Sequence, residues 1–176
     1  RSDFKCTKIR KSDVRIKFQK VGYMFRVGNG IDFHRLINEP FRPLMLAGVE
    51  VKSDFAFLGH SDADVILHAV ADAILGAAGL GDIGQHFPDT DPIHKNMQSS
   101  LIVHKALSLA AEKGWKLVNV DCTYVGDHPK INPIRKELQQ SLANIVSLPL
   151  EDVSIKATTS EGMGALGRSE GVLVMA

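Results

Sequence analysis

The stretch HSDADVILHAVADAILG, residues 60–76, constrains the fold more than any other part of the chain. Its apolar residues recur at helical spacing, which predicts a helix over residues 61–79 that begins with Ser61 as its N-cap. Three polar residues fall four apart and share one stripe of that helix: Asp64, His68 and Asp72. The stripe is either a solvated face with pairing between successive turns, or a site in which His68 binds a ligand and the acids support it.

Strand-like and helical patterns alternate through the rest of the sequence. Strands are predicted for MFRVGNGIDFH, for LMLAGVEVK with a turn at Gly48, and for WKLVNVDCTYVG, VSIKATT and EGVLVMA. Further helices are predicted over residues 99–113 and 132–146, and GLGDIGQHFPDTDP reads as a long loop. We therefore predict an α+β fold, in which a single domain has a mixed β-sheet of about four main strands with helices packed on one face.

Charge divides the chain into two parts. Residues 1–25 carry a local charge of +6, whereas residues 26–176 carry −5. We interpret residues 1–25 as a basic N-terminal extension, poorly ordered or left from a targeting segment, and residues 26–176 as the functional domain. A targeting segment would place the protein in a plastid or an apicoplast-type organelle, whereas a bacterial chain would be cytoplasmic.

Composition also excludes two classes of partner. Nucleic-acid binding needs a basic surface, which the mildly acidic domain lacks. No apolar run approaches the roughly 20 residues that span a bilayer. We therefore predict no nucleic-acid and no membrane partner.

The segment GIDFH provides a candidate metal site. Asp32 and His34 are two residues apart in a strand-like stretch, so their side chains lie on the same face. Together with His68 they form a set of three nitrogen and oxygen ligands, the arrangement of a catalytic zinc ion that keeps a fourth position open. Asp64 or Asp72 would then accept a hydrogen bond from the other ring nitrogen of His68.

The segment KATTSEG provides candidate phosphate ligands. Thr158, Thr159 and Ser160 offer hydroxyl groups at the end of a strand, and Glu161 offers a carboxylate. Hydroxyl and backbone N–H groups donate to phosphate oxygens, and a carboxylate can hold Mg²⁺ against them. Taken alone, the stretch is equally typical of a capped turn.

Several motifs occur together in order: GIDFH, HSDADVILHAVADAILGAAGLGDIG, FPDTDP, HPKI and IKATTSEGMGALGRSEG. In this combination the sequence, from Arg26 to its end, resembles the 2-C-methyl-D-erythritol 2,4-cyclodiphosphate synthase family of the non-mevalonate isoprenoid pathway. The resemblance implies a homotrimer with active sites at the subunit interfaces. It also implies conversion of 4-diphosphocytidyl-2-C-methyl-D-erythritol 2-phosphate to the cyclic diphosphate and CMP, a phosphorus–oxygen lyase reaction.

The resemblance assigns roles to residues of this chain. Zinc would be held by Asp32, His34 and His68, and magnesium or manganese by Glu161, while His60 and Thr159 would stabilise the transition state. The implied substrate-binding residues are Asp32, Phe33, His34, His60, Ser61, Asp82, Ile83, Gly84, Phe87, Pro88, Asp89, Thr90, Asp91, Gly126, Asp127, His128, Pro129, Lys130, Ile131, Asn132, Thr158, Thr159, Ser160, Glu161 and Arg168. The residues from Gly126 to Asn132 would line the cytidine pocket from a neighbouring subunit, together with Thr158 to Glu161 at the diphosphate.

One region departs from the family. Some members take an isoprenoid diphosphate in a hydrophobic cavity on the threefold axis, often beside an aromatic residue. Here Ala165 and Leu166 occupy that region, so the cavity wall is altered, and Arg168 remains as the phosphate anchor.

Two other functions stay open at this point. A metal-dependent phosphohydrolase would use the same three ligands to activate water. A non-enzymatic nucleotide-binding trimer would use zinc structurally, which normally requires a fourth protein ligand.

Overall fold

The computed structural model describes residues 25–59, 62–88 and 97–176. The strands are β1 (Ile31–Ile37), β2 (Leu44–Leu46), β3 (Val49–Val51), β4 (Ala56–Leu58), β5 (Val120–Val125), β6 (Val153–Thr158) and β7 (Gly171–Met175). The helices are α1 (Val65–Ala78), α2 (Ile83–His86), α3 (Ser99–Glu112), α4 (Arg135–Val146) and α5 (Gly164–Gly167), with a short 3₁₀ turn at Leu150–Asp152.

Five strands form one mixed sheet in the order β4-β1-β7-β5-β6. Only β5 and β6 run parallel, and α4 provides the crossover between them; the other neighbours are antiparallel. Strands β2 and β3 form a separate hairpin that turns at Ala47–Gly48, as predicted for Gly48. The predicted mixed α+β sheet is confirmed, with the three-residue β4 added at one edge.

The core lies between the sheet and its helices. Alternate residues of the central strands point into it, including Val172 and Val174 of β7 and Cys122 and Tyr124 of β5. Helix α1 is buried along most of its length and packs against α3, β1 and β7. It is apolar nearly all round, which is typical of a helix at the centre of a domain.

The segment before β1 packs directly on the backbone of α1. A Cβ atom on Gly28 would lie 1.9 Å from the carbonyl oxygen of Ala73, and one on Gly30 would lie 1.9 Å from that of Ala69. Both distances are far inside van der Waals contact, so glycine is required at both positions. This close approach determines how near the chain entering β1 lies to α1.

Several element boundaries differ from the prediction. Helix α1 begins at Val65 rather than Ser61, because Asp64 is its N-cap. Strand β1 begins at Ile31, since the two glycines before it follow the helix surface; Gly30 still exchanges backbone hydrogen bonds of 3.0 and 2.9 Å with Ala176. Helix α4 begins at Arg135, three residues later than predicted.

The sheet face opposite the helices is uncovered in the described chain. Its outward residues are apolar on β1 and β7, where Ile31 is 48%, Phe33 65% and Met175 46% exposed. On β5 and β6 the same face is polar and carries the Lys156–Asp121 ion pair, with the nitrogen and oxygen 2.5 Å apart.

No described helix is both long and apolar enough to cross a lipid bilayer.

The carboxylate of Asp64 is the main polar group inside the core. It is fully buried and accepts hydrogen bonds from the N–H groups of Ile66 and Leu67 in α1, and from those of Ala47 and Gly48 in the β2–β3 turn, at 2.6–3.2 Å. Burial raises the pKa of Asp64 above its ordinary value, and hydrogen bonds from the backbone N–H groups oppose this rise only in part. One side chain therefore joins the hairpin to the first turn of α1.

We expect Asp64→Ala to lower the free energy of unfolding by about 3 kcal/mol, because it leaves buried N–H donors without an acceptor. Asp64→Asn, which keeps one acceptor oxygen, should lose less. The comparison is Asp82→Ala, which removes an exposed cap that accepts from the Gln85 N–H at 3.0 Å and should cost about 1 kcal/mol. Urea unfolding measures all three, and equal losses at positions 64 and 82 would contradict this role.

Candidate metal centre and nucleotide pocket

Three side chains converge where β1 meets α1. The Oδ2 atom of Asp32 lies 3.1 Å from Nδ1 of His34 and 3.1 Å from Nδ1 of His68. One donor atom from each of the three residues lies within 4.8 Å of the other two, close enough to share one metal ion. In the described part of the chain, no fourth residue joins this group of potential ligands.

Local structure explains why these side chains meet. Asp32 and His34 alternate with Phe33 along β1, so both face the helix layer while the Phe33 ring lies on the uncovered face. His68 follows the N-cap Asp64 by one helical turn, and its backbone N–H donates to the Asp64 carbonyl at 3.0 Å. The start of α1 therefore determines where the His68 imidazole lies.

The chemistry of the three donors fits a metal ion. The Nδ1 atom of His34 is buried and has no hydrogen-bond partner in the described structure, although it lies beside the Asp32 carboxylate. A buried nitrogen without a hydrogen-bond partner destabilises the folded protein, unless it donates its lone pair to a metal ion. Two imidazoles and one carboxylate, with a position left open, match the ligand set of catalytic zinc.

The charges of the triad also favour a cation. Burial raises the pKa of Asp32, but the adjacent imidazoles of His34 and His68 outweigh burial and lower that pKa to about 2. Asp32 is therefore ionised at neutral pH. Burial lowers the pKa of His68, but the carboxylate of Asp32 outweighs it and raises that pKa above its ordinary value.

The predicted supporting role of Asp64 and Asp72 toward His68 is wrong in this geometry. The carboxylate of Asp64 accepts hydrogen bonds from four backbone N–H groups, and that of Asp72 accepts one from the N–H of Ile83 at 2.7 Å. The second ring nitrogen of His68, Nε2, lies 2.9 Å from the hydroxyl oxygen of Ser99 instead. Sequence reasoning missed Ser99 because it is 31 residues away and the first residue of another helix.

A second group of predicted residues lies at the carboxyl ends of the parallel strands β5 and β6. There a cavity of about 200 Å³ is lined by Gly126, Pro129, Lys130, Ile131, Asn132, Ala157, Thr158 and Thr159. The loop after β5 is held by the Tyr124 hydroxyl, which donates to the carbonyl of His128 at 2.5 Å, and by stacking of the His128 ring on Phe55. Lys130 is exposed, with its Nζ 3.4 Å from Oδ1 of Asp127.

The loop after β6 presents hydroxyl groups and one carboxylate to solvent. The Thr159 hydroxyl donates to Oε1 of Glu161 and accepts from the Glu161 N–H, both at 3.2 Å. Glu161 has a φ of 53°, which turns the chain sharply. The hydroxyl of Thr158 lies 3.4 Å from the Thr159 carbonyl, and that of Ser160 donates to the Met163 carbonyl at 2.8 Å.

Other predicted residues lie apart from these two groups. Asp82 caps α2, which contains Ile83 and Gly84, and Phe87 and Pro88 follow it. Arg168 is exposed and donates through Nε to Glu170 at 2.6 Å. A nearby cavity of about 480 Å³ is lined by Phe33, Ala165, Leu166 and Glu170, among others.

Five predicted site residues lie outside the described residues: His60, Ser61, Asp89, Thr90 and Asp91. The extension predicted for residues 1–25 lies outside them too, except for its last residue.

Within one chain, the triad on β1 and α1 is separated by the width of the sheet from the loop after β6, residues 158–161, which is predicted to contact phosphate. The register shows how far apart they are. Phe33 of β1 pairs with Leu173 of β7, and Leu173 pairs with Val125 of β5. Val125 pairs in turn with Thr158, the last residue of β6. Three strand spacings therefore separate β1 from β6, about 14 Å at roughly 4.8 Å each.

Comparison with known proteins gives a consistent result. The sequence profile of the YgbB family matches residues 25–176. A protein of Leptospira biflexa named 2-C-methyl-D-erythritol 2,4-cyclodiphosphate synthase is 80% identical over 153 residues, which cover 87% of this chain and 94% of that protein.

Two solved structures of proteins with that name have the same fold. One is 41% identical with a TM-score of 0.78, over 85% of this chain and 96% of the other; a CDP-bound form is 40% identical with a TM-score of 0.77, over the same shares of both chains. On this evidence, the chain belongs to the YgbB family.

Proposed function

We propose that this protein is a 2-C-methyl-D-erythritol 2,4-cyclodiphosphate synthase, a phosphorus–oxygen lyase that releases CMP from its diphosphocytidyl substrate. The observation that carries the proposal is the Asp32–His34–His68 triad, in a chain 80% identical to a relative with that name. The CDP-bound structural neighbour supports a cytidine nucleotide as part of the substrate.

The proposed reaction needs no nucleophilic side chain. An oxygen of the substrate's 2-phosphate attacks the β-phosphorus, the bond from that phosphorus to the bridging oxygen breaks, and CMP leaves with the electron pair. Zinc at the triad and magnesium or manganese at Glu161 would neutralise phosphate charge and align the displacement. The chain itself holds both ends of a flexible substrate, which makes the cyclisation a positioned intramolecular step.

Residues of the chain then divide the substrate between them. The cavity beside Lys130 and Asn132 would take the cytidine, and the hydroxyls of Thr158 and Thr159 would donate to the diphosphate. His60 and Thr159 would stabilise the transition state, and the segments around Asp82 and Phe87 would contact the methylerythritol part.

We also propose a homotrimer whose sites combine residues of two chains. The uncovered sheet face of β1 and β7, apolar at Ile31, Phe33 and Met175, supports burial against other copies of the chain. An isoprenoid diphosphate near Arg168 stays a prediction. The relatives named above include a bacterial protein from Leptospira, which supports the bacterial alternative for localisation over an organelle.

One assay separates this function from a phosphohydrolase. Incubation with the diphosphocytidyl substrate, zinc and magnesium should release CMP and the cyclic diphosphate in equal amounts. Release of inorganic phosphate without a cyclic product would support the hydrolase, and no turnover with specific nucleotide binding would support a non-enzymatic role.

We expect His68→Ala to lose zinc and to lower CMP release by at least about a hundredfold, since two ligands hold the ion poorly. His104→Ala is the control, because His104 is exposed on α3, outside the triad, and its Nε2 atom lies 3.2 Å from the Ile145 carbonyl oxygen. Metal analysis and CMP release of both purified variants check this. A full zinc complement in His68→Ala would refute the ligand assignment.

The affinity for zinc should depend on pH. Because Asp32 raises the pKa of His68, a proton occupies Nδ1 below that pKa and zinc must displace it; above the pKa the nitrogen is free. Affinity should therefore fall on acidification, by up to about tenfold per pH unit for each proton released. Calorimetry in two buffers of different ionisation enthalpy, from about pH 5.5 to 8, measures the released protons. A pH-independent affinity across this range would be inconsistent with His68 as a ligand.

The proposed shared site predicts complementation between two inactive variants. His68→Ala and Glu161→Ala trimers should each be nearly inactive, yet co-refolded mixtures should regain activity. With random assembly from equal amounts, about a quarter of the interfaces in a closed ring pair an intact zinc side with an intact Glu161 side. Mass spectrometry verifies mixed trimers, and absence of recovery in verified mixtures would mean that both groups serve a site within one chain.

A further inference from the structure

Helix α3 begins without a cap from its own N-cap residue. Gln98 occupies that position and makes no side-chain hydrogen bond to the helix. The carboxylate of Asp62, from the loop before α1, takes this place: its two oxygens accept from the backbone N–H of Ser99 at 3.1 and 3.2 Å. A carboxylate at a helix N-terminus is favoured by the free N–H groups and the helix dipole.

The same carboxylate also accepts the hydroxyl proton of Ser99, through a very short contact to its Oδ1 atom. Ser99 is fully buried, so its hydroxyl has few other options. Both carboxylate oxygens act as acceptors here, which means that the single hydroxyl proton of Ser99 points to Asp62. The hydroxyl oxygen is left with lone pairs only.

Those lone pairs face His68. Its Nε2 atom lies 2.9 Å from the Ser99 hydroxyl oxygen, so Nε2 must carry the proton in this hydrogen bond. An imidazole protonated on Nε2 has its free lone pair on Nδ1, which is the nitrogen that lies 3.1 Å from Oδ2 of Asp32.

We infer that Asp62 and Ser99 form a relay that positions His68 and sets its tautomer, so that Nδ1 is presented to the metal. The inference rests on the proposed zinc site and adds two positioning residues to it. A hydrogen bond from the second nitrogen of a metal-bound histidine fixes the ring and makes the ligand more basic. Here the acceptor is a serine whose own proton is fixed by a carboxylate.

The relay also connects three segments of the chain. Asp62 lies in the loop after β4, His68 in the first turn of α1, and Ser99 at the start of α3. Because Ser99 contacts both other residues, the start of α3 and the His68 ring are held in one arrangement.

The test measures zinc affinity directly, by competition with a chromophoric chelator. Ser99→Ala should weaken zinc binding about 10–100-fold, and Asp62→Asn should weaken it less, because it frees the serine hydroxyl without removing it. Ser99→Thr, which keeps the hydroxyl, should restore binding toward that of the wild type. Ser100→Ala, at the next position of the same helix, is the matched control and should bind zinc as the wild type does.

A double variant distinguishes a relay from two separate effects. If Asp62 acts through Ser99, the Asp62→Asn, Ser99→Ala variant should bind zinc no more weakly than Ser99→Ala alone. A purely structural role as a helix cap would lower the melting temperature of the variants and leave their zinc affinity unchanged. The second readout is hydrogen exchange of the His68 Nε2 proton by NMR in the zinc-loaded protein, which should be faster in Ser99→Ala.

Three negative results are distinguishable. If the wild-type protein binds no zinc, the proposed metal centre fails and the relay fails with it. If the wild type binds zinc and Ser99→Ala binds it within twofold of the same affinity while folded, the relay alone is overturned. Additive losses in the double variant would overturn it as well.

Discussion

The buried carboxylate of Asp64 is the interaction on which the rest of the structure depends. It provides acceptors for four backbone N–H groups, two from the start of α1 and two from the β2–β3 turn. Groups of this kind cannot be left unpaired inside a core without a large cost. The helix therefore starts where this carboxylate is, and every side chain of α1 takes its direction from that point, including His68 one turn later.

A second constraint fixes the opposite side of the metal centre. Gly28 and Gly30 allow the chain to touch the backbone of α1 before it becomes β1. The strand then runs beside the helix at close range, and its inward residues Asp32 and His34 reach the same point as His68. The triad thus results from two packing contacts, neither of which involves a metal ligand itself.

The domain separates its functional groups by layer and by strand. The triad lies between sheet and helices, whereas the hydroxyls and carboxylate of the Thr158–Glu161 loop extend beyond β6 toward solvent. The apolar outer face of β1 and β7 lies between these regions on the uncovered side of the sheet. This apolar face is the surface on which the homotrimer proposed above would bury its chains against one another.

Most of the element order was predictable from the sequence, because hydrophobic periodicity is a local property and the turns carry glycine. The pairing of Asp32 with His34 was predictable as well, since alternation along a strand places both on one face whatever the sheet order. His68 was added to them from the polar stripe of its helix and from the family resemblance. The start of α1 was not predictable: Ser61 and Asp64 are both residue types that cap helices well, and the sequence does not show that the hairpin N–H groups of Ala47 and Gly48 also donate to Asp64.

The sequence by itself therefore determined which residue types are present, their periodicity, and the family to which their motifs belong. The tertiary structure alone decided what supports His68. Spacing of four residues indicated Asp64 and Asp72, but one is consumed as a cap and the other holds the N–H of Ile83. The actual partner, Ser99, comes from a helix 31 residues further along the chain. A contact over that separation depends on how α1 and α3 pack, and no local pattern in the sequence encodes that.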